Sequence, residues 1–341
     1  MQHPLALDAL DARRTTGVAP HSAARAGALS RRSVLGCAAA LACGAAAAGP
    51  SAWSPTRPLE MLVSFPAGGT ADTLARLLGD RLGKAHGWQT VVVNRPGGGG
   101  LVLQNALKSS KTDGHTVGFG ASYELTYPVG ERLQTDRLQA FDALCSIAAL
   151  PVCIMARPDA RLDTVDDWRR KAAAGQALTF GVSPPFEWVG ERLARLLKME
   201  IIAVPFRGSS EINQQLLGGT LDLAMSAGSH VPLERAHRAK VVVAVTKSRM
   251  PSHPEVPTLR EVGADLAIQS RFIVFANSNV PAAVRSALSD LFTEVAQERM
   301  LQDALRERGL IPEALQGAPL LRELQEEVQI GKGIGRAPAT R

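Results

Sequence analysis

The sequence predicts an α/β fold built as two lobes, and three observations carry the prediction. Short apolar runs alternate with amphipathic helical patterns along most of the chain, as expected where helices cover both faces of a sheet. Several of these runs are continuous in Val, Ile and Leu rather than alternating, which suits strands of a parallel sheet buried on both faces. The length of 341 residues, 45% of them hydrophobic, suits about two domains at roughly 150 residues each.

The strand candidates, in order, are Glu60–Phe65, Thr90–Asn94, Thr116–Gly120, Val152–Ala156, Leu178–Val182, Ile201–Phe206, Leu221–Met225, Val241–Val245 and Phe272–Ala276. Helices are predicted between them. In Ala71–Leu82 the residues Leu74, Leu77, Leu78 and Leu82 fall on one face by helical spacing. Trp188–Lys198 carries Leu193, Leu196 and Leu197, and Glu211–Leu217 stops at Gly218-Gly219, a natural helix end. Pro281–Arg308 reads as two helices with a break before Gly309. The expected division is a first lobe from 57–152 and 276–330, a second from 153–275, and a flexible Gly/Pro/basic tail at 331–341.

Residues 1–48 read as an export address. A polar region holding Arg13, Arg14, Arg25, Arg31 and Arg32 precedes an apolar run of small side chains from Ser33 to Ala48. That run is too short and too weakly apolar for a membrane span, and it fits a signal peptide cleaved after Ala48. Ser30-Arg31-Arg32-Ser33-Val34-Leu35 is similar to the twin-arginine export pattern, so the expected location is the periplasm. An Ala-rich tail without an address is the plain alternative. Five arginines against Asp8 and Asp11 make this segment the source of half the net charge of +6. The mild excess that remains, with aromatics at 4%, does not describe a nucleic-acid surface.

The chemistry is expected where strands hand over to helices, because open parallel sheets bind ligands beyond the carboxyl ends of their strands. The first such loop is Phe65-Pro66-Ala67-Gly68-Gly69-Thr70-Ala71-Asp72. Gly68 and Gly69 permit a sharp turn, Thr70 or Asp72 can cap the helix, and the helix start is a ready anion site. An ordinary glycine turn is the alternative. The second loop, Pro205 to Glu211, offers Gly208, Ser209 and Ser210 as donors, with Arg207 either pairing a carboxylate or standing in solvent. The third, Gly181 to Trp188, includes Ser183, two prolines, Phe186 and Glu187. Asn94-Arg95-Pro96-Gly97-Gly98-Gly99-Gly100 lacks both the P-loop ending and the dinucleotide spacing, and reads as a structural turn.

Catalytic readings find little support. The sequence has no G-x-S-x-G elbow and no H-E-x-x-H, and Asp72, Glu124, Glu187 and Asp222 are separate acids. Glu124 and Glu187 are candidates for the cleft, with a solvated loop acid as the plainer reading of each. Seven scattered histidines and the absence of C-x-x-C argue against a structural zinc site. No cofactor, no metal and no enzymatic activity are expected. Cys37 and Cys43 belong to the export segment, which leaves Cys145 and Cys153 as two buried strand thiols or a pair formed in an oxidising compartment.

Six segments in order resemble a known family. They are Phe65-Pro66-Ala67-Gly68-Gly69 with Asp72, Val93 to Gly100, Asp113-Gly114-His115-Thr116, Val204 to Ser209, Leu217 to Asp222, and Pro254 to Gly263. Together they make the chain similar to the substrate-binding receptors of tripartite tricarboxylate transporters, the Bug or TctC type. The resemblance spans roughly residues 57–315. It implies a periplasmic-binding-protein fold of the Venus-flytrap type, with a ligand cleft between two α/β lobes. It also implies capture of a small carboxylate-bearing solute for a membrane transporter or for sensing, and a monomer that binds no nucleic acid. Loops matching Ala67–Asp72 and Arg207–Ser210 would clamp one carboxylate, and the third loop would read the distal end. On this basis the expected ligand-binding set is Phe65, Ala67, Gly68, Gly69, Asp72, Ser122, Tyr123, Ser183, Glu187, Arg207, Gly208, Ser209 and Ser210. A receptor that only senses or binds a partner, or a periplasmic enzyme, are the competing readings.

The sequence departs from the family on the distal side. Where members carry a Gly/Ser-rich stretch and a His, this chain has Ser183-Pro184-Pro185-Phe186-Glu187-Trp188. The pocket segment reads Gly120-Ala121-Ser122-Tyr123-Glu124, and Phe206 replaces a usual Tyr. These changes predict a bulkier ligand, partly aromatic or partly cationic.

Overall fold

The computed structural model describes residues 53–127, 137–183, 186–206 and 208–334. The export segment, Pro184, Pro185 and Arg207 lie outside the described residues. Eleven strands and eleven α-helices are formed among those described, with two 3-10 turns at Gly98–Gly100 and Pro158–Ala160. The strands are β1 (Leu59–Val63), β2 (Thr90–Asn94), β3 (Thr116–Ala121), β4 (Phe141–Ala149), β5 (Val152–Ala156), β6 (Leu178–Val182), β7 (Ile201–Pro205), β8 (Leu223–Ala227), β9 (Lys240–Ala244), β10 (Arg271–Asn277) and β11 (Ile311–Pro312). The helices are α1 (Thr70–His86), α2 (Leu101–Lys108), α3 (Tyr123–Thr126), α4 (Arg137–Ala140), α5 (Val165–Ala173), α6 (Trp188–Leu197), α7 (Ser209–Leu217), α8 (His230–Arg235), α9 (Ala282–Gln297), α10 (Arg299–Glu307) and α11 (Gly317–Ile334).

The strands form two sheets, ordered β11-β4-β10-β3-β1-β2 and β7-β6-β8-β5-β9. Each has a parallel portion, β2-β1-β3 in the first and β7-β6-β8 in the second. Neither sheet is wholly parallel, which corrects the expectation from their Val/Ile/Leu runs. β10 runs antiparallel to β3 and β4, and β5 runs antiparallel to β8 and β9. Every residue of β5 and β10 is buried because both are interior strands, and this burial, not parallel pairing, accounts for the apolar runs Val152–Ala156 and Phe272–Ala276.

The chain passes between the sheets through Leu150-Pro151, joining β4 to β5, and through the residues before Arg271, joining the second sheet to β10. The two crossings lie side by side, and the Leu150 N–H donates to the Ser270 carbonyl at 2.9 Å. β10 therefore belongs to the first sheet from Arg271 onward, where the sequence reading placed the return at 276. α11 runs through Gly331 to Ile334, into the segment expected to be a flexible tail. Residues 335–341 lie outside the described residues.

Packing follows the predicted faces. Leu74, Leu78 and Leu82 of α1 are fully buried against the first sheet, each contributing about 1.5–3 kcal/mol relative to exposure. The predicted C-terminal pair of helices is observed as α9 and α10, separated at Glu298. β4 is a strand that composition does not predict. Its sequence FDALCSIAA is poor in β-branched residues, and pairing between β10 and β11 overrides that preference. At the start of β10, buried Arg271 faces three carboxylates, Glu313, Glu323 and Glu327, at 3.1, 2.7 and 3.1 Å. This cluster ties β10 to β11 and α11. Cys145 and Cys153 are both buried and unpaired, one in each sheet, so the thiol alternative describes them.

Candidate functional site

The parallel portions of the two sheets each end in loops that open a helix. In the first sheet Val63 pairs with Asn94 and Phe119, so the loop after β1 and the segment after β3 leave the same edge. In the second, Val182 pairs with Pro205, and the Phe206 N–H donates to the Val182 carbonyl at 2.8 Å, so the second and third loops share an edge. The two edges meet. Phe186 of the third loop stands edge-on to Tyr123 with ring centres 5.0 Å apart and to Tyr127 at 6.3 Å, and Trp188 lies 6.4 Å from Tyr127.

In the first loop, Ala67, Gly68, Gly69 and Thr70 are exposed and Phe65 is half-buried, its ring edge-on to Phe272 at 6.2 Å. Gly68 adopts φ +81°, which glycine reaches without strain. Gly69 is the N-cap of α1 and no side chain caps it. The backbone N–H groups of the first turn, which have no acceptor within the helix, therefore face outward at the positive end of its dipole.

Asp72 does not cap the helix. Its buried carboxylate accepts from the Gly68 N–H at 2.9 Å, Arg76 Nε at 3.1 Å and Asn94 Nδ2 at 3.0 Å. The Arg76 hydrogen bond, followed by that from Gly68, holds its pKa down at about 2. Asn94 also donates to the Phe65 carbonyl at 3.0 Å. Asp72 thus fixes the loop from behind, with Arg76 and Asn94 as partners that the site prediction did not include. The Asp72–Arg76 spacing of four on one helix is a signal that could have found the first.

The second loop repeats the arrangement. Gly208 is the N-cap of α7 without a side-chain cap, and Ser209 and Ser210 are exposed beyond it. Arg207 lies outside the described residues. In the third loop, Ser183 is half-buried and its carbonyl accepts from the Phe186 N–H at 2.8 Å. Glu187 is exposed. Phe186 is buried, and the buried Trp188 Nε1 has no hydrogen-bond partner among the described residues.

Two of the residues considered for the cleft point inward. Ser122 is fully buried; its hydroxyl accepts from the Arg271 N–H at 3.0 Å and lies 3.3 Å from Ser270 Oγ. Glu124 is buried beside Ser64, Arg137 and Gly120, where a Cβ on Gly120 would collide with its Oε2. Burial pushes its pKa up to about 7. A carboxyl in that position is packed against its own core and not open to the cleft. A cavity of about 570 Å³ between β4, α9 and α11, lined by Asp142, Arg285, Ser289 and Gln316 among others, contains none of the predicted site residues. Among the described residues no helix is long and apolar enough to cross a membrane.

Comparison with known proteins follows the same line. Residues 74–337 match the profile of the tripartite tricarboxylate transporter family receptor. The chain is 25% identical over 297 residues to a UPF0065 protein of Bordetella bronchiseptica, covering 84% of this chain and 88% of the relative. It is 26% identical over 300 residues to protein BugT of Bordetella pertussis, covering 83% and 89%. Among solved structures, R. palustris Rpa4515 with adipate superposes with a TM-score of 0.72 at 25% identity, over 83% of this chain and 97% of that one. MatC from Rhodopseudomonas palustris with bound malate gives 0.68 at 23% identity over 83% and 100%, a likeness of fold.

Proposed function

The chain belongs to the tripartite tricarboxylate transporter receptor family, and from that premise we propose that it captures a small carboxylate in the cleft between its two lobes. Receptors of this family bind solutes and are not enzymes. The observation that carries the reading is the pair of uncapped helix starts, α1 at Gly69 and α7 at Gly208, on two sheet edges brought together by Phe186 and Tyr123. Exposed N–H groups from both sides are suited to one carboxylate. Adipate in the related Rpa4515 supports the ligand class.

In this reading Ala67, Gly68, Gly69, Gly208, Ser209 and Ser210, with Arg207, hold the carboxylate. Asp72 acts through the loop it clamps. Phe65, Tyr123, Ser183 and Glu187 line the remainder, with Phe186 and Trp188 forming an apolar wall against the distal part. The Trp188 indole N–H is the donor we assign to a distal acceptor. Lobe 1 then comprises the first sheet with its helices and lobe 2 the second. Export by the twin-arginine-like segment puts capture in the periplasm, where the solute passes to a transporter or a sensor.

Calorimetric titration of ligand-free protein tests this. Aliphatic dicarboxylates and aromatic or long-chain monocarboxylates would be compared. Micromolar binding of at least one carboxylate, favouring the bulkier apolar acids by tenfold or more over malate and succinate, is expected. Tight binding of malate alone would overturn the distal-wall assignment. No binding by any carboxylate, with none released on denaturing the purified protein, would overturn the receptor reading.

A further inference from the structure

Besides the cleft loops, the second lobe gathers a set of metal-ligating side chains that their separation in sequence conceals. His230 and Glu234 stand one turn apart on α8, and His253 comes from the loop after β9. One nitrogen of each ring and a Glu234 carboxylate oxygen lie within 4.8 Å of one another.

The inner ligand is the informative one. His230 is fully buried. Its Nδ1 is engaged, 2.9 Å from Ser226 Oγ and 3.4 Å from Cys153 Sγ, while its Nε2 has no hydrogen-bond partner among the described residues. A buried polar atom left unpaired costs about 1–3 kcal/mol. Ser226 Oγ also accepts from the His230 backbone N–H at 2.9 Å and lies 3.1 Å from Ser229 Oγ, to which it can donate. That leaves the hydroxyl free to accept from Nδ1–H, a tautomer that leaves Nε2 with an unshared lone pair. The His253–Glu234 pair satisfies its own groups, with Nε2 3.1 Å from both oxygens, and does nothing for His230 Nε2.

Each ligand has an orienting partner. Ser226 and Cys153 serve His230, Ser252 Oγ sits 2.8 Å from His253 Nδ1, and the Val241 N–H donates to Glu234 Oε1 at 3.1 Å. Such outer contacts fix ring orientation at metal centres. The His253 and Glu234 side chains are 18% and 22% exposed, so the cluster meets solvent at these two ligands.

We propose that His230, Glu234 and His253 bind a divalent transition-metal ion of the zinc class through two imidazoles and one carboxylate, with water completing the shell. Two nitrogens and one oxygen favour zinc, copper or nickel over magnesium or calcium. Metal–ligand distances near 2.0–2.1 Å imply donors roughly 3.3 Å apart in a tetrahedral shell, close to the His253–Glu234 separation already present. This inference concerns side chains other than those assigned to the carboxylate and stands whether or not the carboxylate reading does. It replaces the expectation of no metal, which rested on the absence of contiguous motifs.

The test uses untagged, chelator-stripped protein, its His253→Gln and Glu234→Gln variants, and zinc titrated in competition with a chromophoric chelator. The parent is expected to take one zinc per chain beyond what either variant takes. Its melting temperature should rise by about 5 °C or more at a hundredfold excess over Kd, with no response to magnesium. Both variants should lose tenfold or more in affinity while melting near the parent when metal-free. Cobalt(II) should give a visible ligand-field band in the parent that His253→Gln lacks. If Glu234→Gln, which also weakens the Val241 contact, fails to fold, His253→Gln alone decides. Equal zinc uptake by parent and His253→Gln, or no uptake by the parent, overturns the proposal.

Discussion

Phe186 reaches across from the second lobe and sets its ring edge-on to Tyr123, 5.0 Å between centres. A side chain from the loop after β6 is thereby part of the packing of the segment after β3. The same ring also meets Tyr127, so one residue closes an aromatic bridge between the sheet edges. Truncating it to Ala should lower stability by about 3–5 kcal/mol, including about 0.5–1.5 kcal/mol for each aromatic pairing. Phe186→Leu, which keeps apolar volume, should recover most of that loss. Differential scanning calorimetry of both variants checks the ordering, and equal melting of Ala and Leu would contradict it.

The first loop depends on Asp72 as a clamp. Asp72→Ala removes the acceptor of the Gly68 N–H and leaves Arg76 and Asn94 without it. Carboxylate affinity should fall tenfold or more, with a stability loss of about 1–3 kcal/mol. Gly68→Ala meets no neighbouring atom but must hold φ +81°, so it should weaken binding through backbone strain of about 1 kcal/mol. Titration calorimetry separates these effects from global unfolding. Unchanged affinity in Asp72→Ala would show that the loop does not need its clamp.

A bulky side chain at Gly208 tests the second helix start. Its position has open space around it and an extended backbone, so Gly208→Phe should fold with little loss while obstructing the N–H groups of α7. Affinity for the carboxylate should drop by a factor of ten or more with the melting temperature nearly unchanged. Retained affinity would remove α7 from the site.

The pH dependence of stability has a definite sign. Burial raises the pKa of Glu327 from 4.5 to about 7, against the attraction of Arg271, and burial does the same for Glu124. A carboxyl whose folded pKa lies above its unfolded value stabilises fully below the unfolded value and loses that contribution as pH rises to the folded one. Stability should therefore decline between about pH 4.5 and 7. Asp72 is shifted the other way, from 3.8 to about 2, so its contribution is present above 3.8 and lost as pH falls toward 2. Melting temperatures should peak near pH 4–5. Glu327→Gln should flatten the upper limb, whereas Arg271→Met, which strands three carboxylates, should cost about 3–5 kcal/mol. A parent melting temperature that is constant from pH 5 to 8 would refute the assignment.

Much of this was legible in the residues. The Val/Ile/Leu runs of β1, β2, β5, β6, β7 and β9 located strands to within a residue or two, and Gly68-Gly69 and Gly208-Ser209 marked the helix starts that face outward. β4 was not legible, since FDALCSIAA is poor in β-branched residues and forms a strand through its pairing with β10 and β11. The inward turn of Glu124 and Ser122 was also hidden. Nothing local distinguishes a carboxyl or hydroxyl that faces a cleft from one that faces its own core. The bridge from Phe186 to Tyr123 and the meeting of His230 with His253 are tertiary contacts between distant segments, and periodicity along the chain carries no record of them.

The hydrogen bond from Leu150 to the Ser270 carbonyl has a mechanical consequence. Two chain segments that cross side by side and are bonded to each other resist bending within their common plane more than across it, as a ribbon does. The spine so formed starts at Arg271, which three carboxylates hold against β11 and α11. One end of the ribbon is thus clamped. Bending across that plane would open the sheets from one another, and a label on each side of the Phe186–Tyr123 contact would report the opening as one distance.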